Sequence, residues 1–119
     1  MPSERPAQRV TDILENARAA REYTAGLSLE AFIADRKTYD AVERCLERIC
    51  EASVKLGPLA ASLMPNQPWD RFRSLGNRLR HEYDRILNTV IWEIVEVDLA
   101  PLEEECVAAL ERLQSNEPK

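Results

Sequence analysis

Apolar residues recur every three or four positions along almost the whole chain, the spacing at which side chains share one face of an α-helix. Val10, Ile13, Leu14, Ala17 and Ala20 predict a first helix from about Pro6 to Thr24, which Gly26 ends. Ser28 is placed to cap a short helix carrying Leu29, Phe32 and Ile33. The cleanest stripe follows: Val42, Cys45, Leu46, Ile49, Ala52 or Ser53, and Leu56 predict a long helix from about Thr38. Pro58 lacks the amide that the helical ladder requires, so it kinks this helix or begins a new turn. Met64-Pro65-Asn66-Gln67-Pro68 reads as a loop. Trp69, Phe72, Leu75, Leu79, Tyr83 and Ile86 then mark a third main helix starting near Pro68, and Val90, Ile91, Ile94 and Val95 continue in helical register. Asp98, with Pro101 near the first helical position, opens a last helix whose stripe is Leu102, Cys106, Ala109, Leu110 and Leu113. Residues 114–119 read as a frayed tail. The pattern predicts an all-α antiparallel bundle of four to five helices, a single domain over 1–119 with apolar faces broad enough to suit a homodimer.

Composition agrees and removes several classes of function. Apolar residues make up 45% and charged residues 31% of the 119, the balance of a folded soluble domain. Only three glycines occur, and no Asn-Gly or Asp-Gly hairpin turn. No apolar run approaches the roughly 20 residues of a membrane span, and the N-terminus lacks the apolar stretch of a secretory signal; a cytoplasmic protein without a membrane partner is expected. Cys45, Cys50 and Cys106 are odd in number and form no Cys-x-x-Cys pair, which argues against a disulfide framework. Cys45 and Cys106 fall on apolar stripes and read as buried thiols. The net charge of −5 is uneven: residues 1–85 carry 14 basic against 13 acidic side chains, residues 86–119 carry 2 against 8. That argues against a broad nucleic-acid coat and leaves room for a local basic cleft.

His81 is the only histidine, so no metal site built on several histidines forms within one chain, and no metal or cofactor is expected. Gly-rich phosphate loops and Gly-x-Ser-x-Gly elbows are absent. From Asp70 to Arg85 there are five arginines against Asp70, Glu82 and Asp84. Ser74, Asn77, Arg78 and His81 share one face of the third helix, with Leu75, Leu79 and Tyr83 turned toward the core. An imidazole that exchanges protons near neutral pH, one turn from a guanidinium that holds phosphate, is a workable phosphodiester site. RNA needs no metal there, because its own 2′-hydroxyl attacks the neighbouring phosphate. One histidine per chain supplies both acid and base only where two chains meet. The plainer reading is a solvated histidine among arginines that pair with Glu82, Asp84 and the acidic last helix, and composition alone leaves both open. Glu103-Glu104-Glu105 reads as a solvated first turn, favoured by the helix dipole. Trp69 and Trp92 read as core or dimer-interface anchors.

Asp12-Ile13-Leu14-Glu15, Asp35, Thr38, Ala41-Val42, the run from Arg44 through Glu51-Ala52, Pro68-Trp69, the segment from Gly76 to Asp84, Val90-Ile91-Trp92 and Leu99-Ala100-Pro101-Leu102 stand in an order that resembles the HepT-like family of the HEPN superfamily, small helical toxins of bacterial toxin–antitoxin pairs. The resemblance implies a homodimer whose signature helices face each other across a cleft and cleave RNA without metal. It implies an MNT-type nucleotidyltransferase antitoxin as partner, able to transfer AMP onto the motif tyrosine, here Tyr83. The family motif is Arg, four residues, His, one residue, Tyr. His81-Glu82-Tyr83 matches its second half, while the arginine position is Gly76. Arg78, one turn from His81, is the substitute for catalysis beside His81, and Arg73 and Asn77 are candidate RNA-phosphate contacts. Gly76 admits a close backbone approach across a dimer. The alternative is a HEPN-fold binding module that kept its antitoxin or RNA partner and lost catalysis with the motif arginine.

Overall fold

The computed structural model describes residues 5–81 and 86–115, with the side chains at 80, 81, 86 and 87 outside the description. Among the described residues the chain is helical, with no strand. Helix α1 spans Pro6–Thr24, α2 Leu29–Ala34, α3 Arg36–Leu56, α4 Leu59–Leu63, α5 Trp69–His81 and α6 Ile86–Glu93; a π-helical stretch, Ile94–Asp98, leads into α7, Leu99–Ser115. The order and type of elements follow the apolar periodicity. Four long helices carry the bundle, and the short α2 and α4 are the turns that Ser28 and Pro58 announce.

The boundaries have local causes. Pro6 opens α1, where its missing N–H costs nothing. Gly26 takes φ +79° just beyond it, in the left-handed region that glycine enters without a Cβ penalty. The Ser28 side chain accepts from the Ala31 amide and caps α2. Asp35 accepts from the Thr38 amide at 3.2 Å and its hydroxyl at 2.7 Å, so α3 starts two residues before Thr38. These bonds, the side-chain one first, lower the Asp35 carboxyl from its ordinary value. Gly57, at φ +58°, closes α3 ahead of Pro58.

Helix α1 packs on α3 and α7, α3 also holds α5, and α2 leans on α3 and α6. Their stripes meet in one cluster that includes Val10, Ile13, Leu46, Ile49, Phe72 and Leu102. Trp69 belongs to this core; Trp92 is half-buried, its ring 5.2 Å from that of Phe32. None of the helices among the described residues is long and apolar enough to cross a membrane.

Two expectations change near the C-terminus. Asp98 does not open the last helix, because the chain is already helical there: residues 94–98 form a π turn that runs directly into α7. The Leu99 N–H reaches back five residues to the Ile94 carbonyl, and Pro101, just beyond, has no N–H to give the ordinary bond to Val97. The acidic run 103–105 is also more than a solvated turn. Glu103, only 15% exposed, meets Arg18 at 3.6 Å and pairs with Arg21, tying α7 to α1. Glu105 accepts from the Asn66 side chain at 3.0 Å and the Gln67 side chain at 2.9 Å, holding the loop before α5. Glu104 alone is exposed.

All three cysteines are free and buried. Burial raises the Cys45 thiol and lifts Cys106 to about 12, with Glu105 and Glu103 adding to the latter. Iodoacetamide at pH 8 is therefore expected to spare the folded protein and to label all three thiols after denaturation, as intact-mass analysis would read. Rapid labelling of Cys106 in the folded protein would contradict the burial described.

Candidate functional site

The basic segment lies on α5, and its apolar side fixes where the polar side faces. Trp69 donates from its indole N–H to the Met64 carbonyl at 2.9 Å, which sets the entry of the helix. Phe72 is fully buried, with its ring 5.7 Å from that of Trp69, and its carbonyl accepts from the Cys50 thiol of α3 at 2.8 Å. Leu75 and Leu79 extend the same buried stripe. On one flank, Arg71 reaches Glu93 at 3.2 Å and Asp98 at 3.5 Å. Burial raises the Asp98 carboxyl, Arg71 opposes that shift and Glu93 adds to it. Arg71 is thus committed to holding α5 against the π turn.

With that side fixed, the opposite face is free for chemistry. At 3.6 residues per turn, positions 74, 77 and 81 fall within about 60° of one another. Ser74 and Asn77 are exposed there. Arg78 is half-buried on the flank shared with Arg71. Arg73 is exposed on the other flank, its guanidinium 2.7 Å from the Asp70 carboxylate. Asp70 is fully exposed, so this pair is weak and Arg73 can exchange it for another anion. Arg73, Ser74, Asn77 and Arg78 thus stand on this side of α5 within about two turns before His81, the last described residue of the helix. The His81 side chain is outside the description, and Tyr83 lies outside the described residues.

Sequence reasoning missed what lies beside this face. Gly76 is buried and, with Cys50, Glu51, Val54, Lys55 and Arg73, lines a groove of about 250 Å³ between α3 and α5 of the same chain. A second, more polar groove of about 310 Å³ between α1 and α3 includes Arg9, Asp12, Asn16 and Arg48, and shares Glu51 and Lys55 with the first. Among the described residues no hydrogen bond or ion pair engages the side chain of Glu51 or Lys55. The one sequence signal was Val54, an apolar residue on the polar face of α3 between Glu51 and Lys55; it is 61% exposed.

The family described as "Ribonuclease HepT-like" matches this chain over residues 13–109, a span that contains α3, α5 and the groove between them. A Methanocaldococcus jannaschii protein named as a candidate RNase is 37% identical over 84 residues, which are 71% of this chain and 69% of its own. A second from the same organism, also named as a candidate RNase, is 35% identical over 79% of this chain and 86% of its own. A Thermococcus cleftensis protein named "probable ribonuclease HepT" is 34% identical, covering 76% and 83% respectively. No solved structure matches the chain.

Proposed function

The chain belongs to the HepT-like ribonuclease family, and from this premise we infer that it is a metal-independent endoribonuclease, the toxin of a toxin–antitoxin pair acting in the cytoplasm. The observation that supports the reading is the polar side of α5, where exposed Arg73 and Asn77 and half-buried Arg78 stand within about two turns before His81 while the opposite side is locked into the core. His81 exchanges the protons. In the forward step the RNA 2′-hydroxyl loses its proton to a base as its oxygen bonds to phosphorus. The bond from phosphorus to the 5′-oxygen breaks, and that oxygen takes a proton from an acid, leaving a 2′,3′-cyclic phosphate and a 5′-hydroxyl. Two copies of His81, one from each protomer of a homodimer, supply base and acid. Arg78 stabilises the charge that grows on the phosphate oxygens, and Arg73 and Asn77 hold neighbouring phosphates. An MNT-type nucleotidyltransferase antitoxin adding AMP to Tyr83, two residues beyond His81, would fill the cleft with negative charge and exclude RNA.

Substitution separates the two arginines. Arg78→Ala is expected to slow cleavage of single-stranded RNA about 10²–10³-fold with little change in KM, the signature of a contact made mainly in the transition state. Arg73→Ala is expected to raise KM and flatten the salt dependence while kcat is kept. Initial rates of both variants, with mass detection of the cyclic phosphate, test this. The opposite split would exchange their roles.

A second reading has one observation in its favour. The residue where the family carries its arginine is Gly76, and it is buried against α3. If neither Arg78 nor Arg73 replaces that arginine, the chain is a binding module for its antitoxin or RNA. Purified protein that binds RNA and leaves it intact would establish that alternative.

A further inference from the structure

We propose that the groove between α3 and α5 is a guanine subsite, in which Glu51 reads the base of a nucleotide beside the scissile phosphate; the inference rests on RNA as the ligand of the α5 face. At about 250 Å³ the groove falls below the volumes that take whole drug-sized ligands, and it suits a single base. Cys50, Val54 and the backbone at Gly76 give it an apolar wall against which a flat ring can lie. Arg73 and Gly76 of this groove lie about 12 Å and about 8 Å along the helix from position 81, and Arg73 about 80° around it. A base in the groove therefore belongs to a nucleotide within one or two phosphates of the reacting side.

The polar chemistry selects the base. Glu51 is exposed, and among the described residues its carboxylate has no hydrogen bond or ion pair. A carboxylate only accepts, through two oxygens side by side. Guanine presents two adjacent donors on its Watson–Crick edge, N1–H and the 2-amino group, and matches both oxygens. Adenine and cytosine each set a ring-nitrogen acceptor beside one amino group. Uracil sets its single N–H between two carbonyls. Each of the other three would face acceptor against acceptor. Lys55, one turn along α3 from Glu51, and Arg73 across the groove are placed for the flanking phosphates. An exposed Glu51–Lys55 pair at this spacing would be too weak to withhold the carboxylate.

The test uses the wild-type protein and short oligoadenylates carrying one central guanine, inosine, cytosine or uracil. The 2′-fluoro forms lack the attacking hydroxyl and report binding alone; the unmodified forms report cleavage. Guanine is expected to bind about tenfold or more tightly than cytosine or uracil. Inosine, which lacks the 2-amino group, is expected to fall between. Glu51→Gln should erase the preference while helicity by circular dichroism is kept, because the residue is exposed. Equal affinity for all four bases, or a guanine preference that survives Glu51→Gln, would overturn the inference. RNA cut without base preference would overturn it and leave the ribonuclease reading standing. Guanine binding through Glu51 without any cleavage would do the reverse, and no binding with no cleavage would end both. Glu51→Gln slowing all four RNAs equally at unchanged affinity would move Glu51 to proton transfer and remove it as the base reader.

Discussion

His81→Ala is expected to reduce RNA cleavage by about 10²–10⁴-fold, the range that a positioned general acid or base contributes. No second histidine in the chain can take over the proton transfer. If two copies supply base and acid, each homodimer loses both groups at once, which puts the expected effect toward the upper end. The helix should not suffer, since alanine is the better helix former. Regulated expression without any partner provides the cellular counterpart: growth arrest and loss of intact RNA with the wild type, neither with the variant. Mixed dimers of wild type and variant add a sharper comparison. One intact histidine cannot serve as acid and base in the same turnover, so mixed dimers should resemble the double loss. Half of wild-type activity in mixed dimers would sink the shared-cleft mechanism. Silence from the wild type itself, folded and RNA-bound, would favour the binding module.

The elements that carry this face could be read from the sequence because their causes are local. The stripe of α3 from Val42 to Leu56, the serine cap of α2 and the proline start of α1 each depend on residues a few positions apart, and all three formed as the spacing required. The core side of α5 is legible for the same reason. Most misses depend on distance. Glu103 and Glu105 look like ordinary first-turn acids until the fold brings Arg18, Arg21 and Asn66 to them. Asp98 is a local miss, since residues 94–98 already coil as a π turn, but its ion pair with Arg71, 27 positions earlier, is again a matter of distance. The groove at Glu51 is a property of two helices together. A periodicity read along one strand of sequence shows that Glu51 and Lys55 are on the polar side of α3, but not that Arg73 and Gly76 stand across from them.

Phe72→Ala is expected to cost about 3–5 kcal/mol of folding stability, the range for removing a buried aromatic ring and leaving a cavity. For a domain whose total stability lies within about 5–15 kcal/mol this is a large share, and it should lower the thermal midpoint by roughly 10–20 °C. The position justifies the upper part of the range. Phe72 is fully buried, its ring packs beside Trp69, and its carbonyl takes the Cys50 thiol hydrogen bond, so the ring helps seat α5 on α3 where the two helices meet. The cost is expected to separate cleanly from catalysis. At a temperature low enough for the variant to remain folded, its cleavage rate per folded molecule should stay within a few-fold of the wild type, because Phe72 is on the side of α5 opposite the exposed Ser74 and Asn77. His81→Ala should show the reverse pattern, a normal midpoint and a lost rate. Urea titrations and initial rates on the same preparations place each variant on both axes. A folded Phe72→Ala protein as inactive as His81→Ala would mean that the seating of α5 is itself part of the active geometry, with a shift of the helix on α3 too small to unfold the chain sufficient to misplace the α5 face.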